Sequence, residues 1–190
     1  MSESMPAPQA TGQPTQPLVV NIQYVKDLSF EVPGAPQIFT QLRSQPQVNI
    51  NLDVQARRLE EGPNLFEVML VIRAEAQEPA ATNGAGNGQG SNGQGGNGQG
   101  GNGQGSTGPT IFVAELTYAG VFTLTGLAEN AIEPVLLVEC PRILFPFARN
   151  ILADVTRDGG FPPVLLQPID FVALWQARRA QAQTSQTAAA

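Results

Sequence analysis

The run ECPRILFPFARNIL, from Glu139 to Leu152, constrains this chain more than any other stretch. In it and just beyond it, Ile143, Phe147, Ile151 and Val155 fall on one helical line, with Leu144, Ala148 and Leu152 one position over. Arg142, Arg149, Asn150, Asp154 and Arg157 fill the opposite side. Such a helix is marginal alone in water, so its wide apolar face has to lie on something broad. Four other stretches read as strands, which makes a sheet the expected support. A proline inside a helix removes a hydrogen bond and crowds the preceding turn. Pro146 is therefore expected to kink the helix or begin a second piece, with Pro141 opening the first.

The segment from Val20 to Val32 alternates. Val20, Ile22, Tyr24, Leu28, Phe30 and Val32 point one way with Lys26 among them, and Asn21, Gln23, Asp27, Ser29 and Glu31 point the other. Pro33-Gly34-Ala35-Pro36 stops this strand. After a crossover from Gln37 to Pro46, Val48, Ile50, Leu52 and Val54 alternate with Gln47, Asn49, Asn51 and Asp53. A turn from Glu60 to Asn64 leads to a third strand, Leu65 to Ala76, with Phe66, Val68, Leu70 and Ile72 on one face. Its other face, Met69 and Val71 between Glu67 and Arg73, is less polar than those before it, which predicts a central position. Thr110 to Thr125 is the fourth strand, where Gly120 suggests a bulge or bend. Strands joined in this succession predict an antiparallel sheet with one face open to solvent or a partner.

Helices follow. Gly126 to Val138 is a weaker helical segment, and the central stretch ends at Asp158-Gly159-Gly160. Phe161 to Pro168, with three prolines, reads as an extended linker. A last helix starts near Asp170, with Phe171, Leu174 and Trp175 on one side and Arg178 and Arg179 near its C-terminus.

Residues 1–17 hold almost nothing apolar and read as a disordered tail. Residues 79–109 read as a disordered Gly/Asn/Gln-rich insertion, with Asn-Gly-Gln-Gly starting at Asn87, Asn92, Asn97 and Asn102. Glycine at that density does not offset the entropy of ordering, and the period is too short for a solenoid unit. With residues 181–190 as a flexible tail, one domain spans 18–180, roughly 130 residues of it able to fold. A formal charge of −6 argues against nucleic acid and for a basic partner. The chain has no histidine and one cysteine, Cys140. That excludes His-dependent triads, His metal sites, Cys-rich zinc sites and internal disulfides. Neither a signal peptide nor a membrane span is legible, so a cytoplasmic location without membrane insertion is expected.

Asp27 and Glu31 lie four apart on one strand face, and Glu115 sits among apolar residues. As catalytic carboxylates they would need a pocket and a second perturbed group, which nothing indicates. They read as a solvated sheet face or as a patch that orients a basic partner. Cys140 opens a helix with no histidine or second thiol to assist it, and reads as a small buried residue. Ile50, Leu52, Phe147 and Trp175 are large apolar residues on elements that a small domain does not fully cover. Core positions and a groove for extended apolar peptide are both open readings.

Four strings in chain order resemble the SecB family of bacterial protein-export chaperones. They are YVKDLSFEVPGAP at Tyr24–Pro36, FEVMLVIR at Phe66–Arg73, CPRILFPFAR at Cys140–Arg149 and FPPVLLQPIDFVALW at Phe161–Trp175. The resemblance covers residues 20–178 apart from the repeat. It implies an α+β fold, a four-stranded antiparallel sheet with C-terminal helices packed on one face. It further implies a cytosolic homotetramer, a dimer of dimers, without catalysis, cofactor or metal, that holds unfolded precursor proteins without ATP and passes them to the translocation motor SecA. By matching positions, the motor-binding residues are Asp27, Glu31 and Glu115, with Val113 as apolar companion. Ile50, Leu52, Phe147 and Trp175 match client-groove positions, and Ala114, Leu116 and Tyr118 match a strand face linked to tetramer assembly. The repeat has no usual counterpart in the family, and the C-terminal tail is rich in alanine and glutamine where relatives often carry acids. A non-catalytic adaptor interacting through its glycine-rich loop is the alternative function.

Overall fold

A computed structural model describes residues 16–42, 45–60, 62, 64–79 and 108–187. The readings made for the N-terminal tail and the Asn-Gly-Gln-Gly insertion lie almost wholly outside the described residues. Strands β1 (Leu18–Glu31), β2 (Gln47–Arg58), β3 (Leu65–Gln77) and β4 (Thr110–Leu124) form one antiparallel sheet in the order β1-β4-β3-β2. β3, apolar on one face and mixed on the other, is interior as its composition predicts, and β1 and β2 are the edges. Helix α1 (Ile38–Gln41) lies in the crossover after β1. α2 (Glu129–Pro134), α3 (Cys140–Asp158) and α4 (Phe171–Thr187) follow the sheet.

The face of α3 that disappears is the line Leu144, Ala148 and Leu152, each fully buried, together with Phe145. They press onto Val68, Leu70, Ile72, Ala114 and Leu116 of the two central strands. Burial of each leucine stabilises the fold by about 2–3 kcal/mol. The neighbouring line is less covered, and Phe147 stays 50% exposed. Pro146 does not divide the helix. Helical structure runs unbroken from Glu129 to Asp158, and its one irregularity is a π-helical turn, Val135–Glu139, between Pro134 and Pro141. A wider turn is where a helix accommodates bonds that prolines cannot make.

α3 ends as expected, with Gly159 N–H donating to Val155 O at 2.9 Å and Gly160 in the left-handed region at φ 88°. α4 is capped by Asp170, whose Oδ1 accepts from Val172 N and Ala173 N at 3.0 Å each. It continues to Thr187, into the segment expected to be a flexible tail from 181. Arg178 lies within α4, not near its C-terminus, and reaches the edge strand, donating to Val54 O at 2.7 Å and pairing with Asp53.

Two departures from the expected strands matter for the surface. β1 carries two irregularities against β4, between Val20 and Ile22 and between Val25 and Asp27, which leave Asn21 and Lys26 as extra residues. Each reverses the alternation, so the pattern holds at both ends of β1 and fails between them. Ile22 and Tyr24 lie on the same face as Asp27, Ser29 and Glu31, whereas Gln23 and Val25 turn to the helix side. Gln23 Oε1 is buried there without a hydrogen-bond partner.

Gly120 is not a bulge in β4, whose register with β3 is regular around it. A Cβ at this position would lie 2.8 Å from the Phe122 ring and 3.0 Å from Leu144 Cδ2, so glycine is what allows α3 to approach. Gly120→Ala is expected to destabilise the fold by about 1–3 kcal/mol through overpacking, measured by urea unfolding. A cost below about 0.5 kcal/mol, the level of an ordinary surface change, would contradict this seating of α3.

Candidate functional site: an open acidic sheet face and an apolar groove

The face of the sheet turned away from α3 carries Asp27 and Glu31 from β1 and Val113 and Glu115 from β4. Glu31 stands opposite Val113, Ser29 opposite Glu115, and Asp27 opposite Thr117. The fold therefore brings all four proposed motor-binding residues into one patch, because directly opposed positions lie about 5 Å apart. On the other side of β4, Arg73 of β3 opposes Glu115, pairs with it and reaches Glu75 at 3.3 Å. Ala114, Leu116 and Tyr118 belong to the other face. They are buried under α3, and the Tyr118 ring stacks on Phe147 at 6.1 Å.

Sequence reasoning missed the most buried charge of this face. Glu67 of β3 is 2% exposed although no helix covers it. Lys26 Nζ donates to its two oxygens at 2.8 and 2.9 Å, Arg57 Nε to Oε2 at 2.5 Å, and Tyr24 OH to Oε1. Burial by itself raises a carboxyl pKa, but here the bonds from Lys26, Tyr24 and Arg57 and the Lys26 charge outweigh it, bringing Glu67 from 4.5 down to about 2. Burial, then the bond to Glu67 and its charge, push Tyr24 up to about 12.

A depressed carboxyl pKa stabilises the fold above its unfolded value and ceases to do so as pH falls through the folded value. A raised phenol pKa stabilises below 10 and ceases to do so as pH rises toward 12. The cluster's contribution should be flat between these limits. Stability is expected to fall by about 2–3 kcal/mol as pH drops from 4.5 to about 2, and Glu67→Gln should remove that part of the acid slope. Equal acid slopes for the two proteins in urea titrations would refute this account of Glu67.

On the helix side, a groove of about 550 Å³ runs between edge strand β2 and the proline-rich linker. Pro46, Val48 and Ile50 form one wall, Phe161 to Ile169 the other, and Phe112 contributes to the lining. The Phe161 ring packs at a tilt against Phe112 at 4.9 Å and against Phe39 at 5.3 Å. The linker is held to α3 by Val164 N, which donates to Thr156 Oγ1 at 3.0 Å. Leu165 is 60% exposed and Ile50 41%. Of the four expected groove residues, only Ile50 lies here. Leu52 packs partly buried against the core. Trp175 borders a separate notch of about 210 Å³ beside the π-helical turn, with Nε1 donating to Glu133 Oε1 at 3.1 Å and Arg179 over its ring at 5.1 Å. Phe147, half-exposed on α3, lies at the margin of helix and sheet, where its ring stacks on Tyr118. The linker's mixture of prolines with large apolar residues was the legible sign that it forms a wall.

Cys140 is fully buried, and burial with the Glu139 charge pushes its thiol up to about 12, which disfavours the thiolate. Among the described residues, no group of three or more His, Cys, Asp or Glu could hold a metal ion, and no helix is long and apolar enough to cross a membrane.

The family profile described as preprotein translocase subunit SecB matches residues 11–85 and 102–182. The chain is 64% identical over 167 residues to the protein-export protein SecB of Granulibacter bethesdensis, covering 88% of this chain and 85% of the relative. It is 63% identical over 165 residues to that of Acidiphilium cryptum, covering 87% and 90%. Among solved structures it resembles the SecB-like chaperone of Mycobacterium tuberculosis in complex with a ChAD peptide from the HigA1 antitoxin. That match has a TM-score of 0.54 at 13% identity, covers 80% of this chain and 90% of the other, and bears on the fold.

Proposed function

Since the chain belongs to the SecB family of protein-export chaperones, we propose that it is an ATP-independent holdase that keeps precursor proteins unfolded and delivers them to SecA. The observation that carries this reading is the separation of two chemically different surfaces on one small domain. The helix side offers an apolar groove beside an edge strand, where an extended chain can place side chains in pockets with loose sequence preference. The open side offers Asp27, Glu31 and Glu115 around Val113, which suits a basic, partly apolar partner. A client on one side leaves the other free for the motor. The peptide bound to the mycobacterial chaperone of the same fold supports client binding.

The protein works as a homotetramer, a dimer of dimers, in the cytoplasm. β1 is an edge strand with Val19, Val20, Ile22, Val25 and Leu28 all more than a third exposed, which favours pairing with a second copy. Half-exposed Phe147, where α3 meets the sheet, favours a second contact, and Ala114, Leu116 and Tyr118 act on assembly from beneath that helix. The nucleotide-free full-length protein is expected to suppress aggregation of a diluted unfolded precursor, and added SecA to take that precursor over. Unchanged aggregation at stoichiometric chaperone would overturn the reading.

A further inference from the structure

Resting on the reading of the open face as a docking surface, we propose that Glu67 is a positioning residue for Asp27: it grips Lys26, the extra residue of the β1 bulge, and so keeps Asp27 on that face. Val25 opposes Tyr118 and Asp27 opposes Thr117, so two steps along β1 correspond to one along β4. Were β1 regular from Val25 onward, Asp27 would oppose Leu116, on the side facing α3. The bulge is thus what turns Asp27 outward, a known use of such irregularities beside functional surfaces. A bulge needs something to hold it. Lys26 Nζ spans β4 to reach both oxygens of Glu67, passing the fully buried Ala119, and also touches Met69 Sδ at 3.3 Å. Tyr24, two residues before Lys26, bonds the same carboxylate, and Arg57 holds it from β2. One buried carboxylate therefore joins both edge strands to β3, holding the extra residue itself and a second residue two positions before it.

A merely stabilising role would weaken every surface alike, whereas positioning couples Glu67 to Asp27 in particular. In the full-length protein, Glu67→Gln is expected to lower SecA affinity about tenfold, with affinity for a reduced unfolded client unchanged. Asp27→Ala should add little on top of Glu67→Gln, while Glu115→Ala adds its full effect. Amide exchange at Lys26 and Asp27 in the partner-free protein should accelerate relative to Val113–Glu115. Full additivity with Asp27→Ala, or unchanged exchange at the bulge, would overturn the inference. If Asp27→Ala alone leaves SecA binding intact, the docking reading falls, while accelerated exchange still supports Glu67 as the keeper of the bulge. Should Glu67→Gln fail to fold, Lys26→Met removes the same grip from its solvent-facing end and is expected to reproduce the pattern.

Discussion

Replacing Asp27 and Glu31 together by alanine is expected to weaken SecA binding by about ten- to a hundredfold and to leave client binding unchanged. Both carboxylates are exposed on a rigid strand, and among the described residues neither forms an ion pair. Glu115 differs, because Arg73 already engages it and a basic partner has to compete for it. Asp27 and Glu31 therefore carry most of the charge immediately available for docking. Their removal breaks no ion pair among the described residues, so stability should stay within about 0.5 kcal/mol of the parent. The parent's affinity should fall with added salt, and the variant's should fall less steeply. Calorimetry with full-length protein measures both. Equal SecA affinities for parent and variant would remove the acidic face from the docking surface.

The complementary expectation concerns Ile50→Asp combined with Leu165→Asp. These residues stand on opposite walls of the groove and are 41% and 60% exposed, so carboxylates there remain hydrated in the free protein. A bound apolar segment would bury them without partners, at a cost of about 2–3 kcal/mol, and client affinity should drop about thirtyfold or more. SecA affinity should not move. Trp175→Ala is expected to have a smaller effect, because its notch lies apart from the groove. A client affinity within about twofold of the parent, with the fold intact, would show that the groove is not where clients bind.

The four strands, the interior position of β3 and the helix laid on the sheet were legible because their periodicities run long enough to average over local irregularity. β1 misled in its middle, since two bulges restore the phase and disguise the reversal between them. Glu67 looked like one acid on a mixed strand face. Its three donors come from β1 and β2, and only a register places Tyr24, Lys26 and Arg57 around it. The groove was hidden for a similar reason, as its walls lie more than a hundred positions apart in the chain. Pro146 and Gly120 were read by local rules, and in both places tertiary packing decided: the helix lying across the sheet stays continuous through the proline and comes close over the glycine.

Peptide-resolved hydrogen exchange of the full-length protein, free, with an unfolded precursor and with SecA, tests the separation of surfaces most directly. Precursor should protect 45–50 and 161–169, SecA should protect 27–31 and 113–117, and both sets should be protected when the two partners are present together. Protection of the groove by SecA alone, or of the acidic strands by precursor alone, would contradict two independent faces.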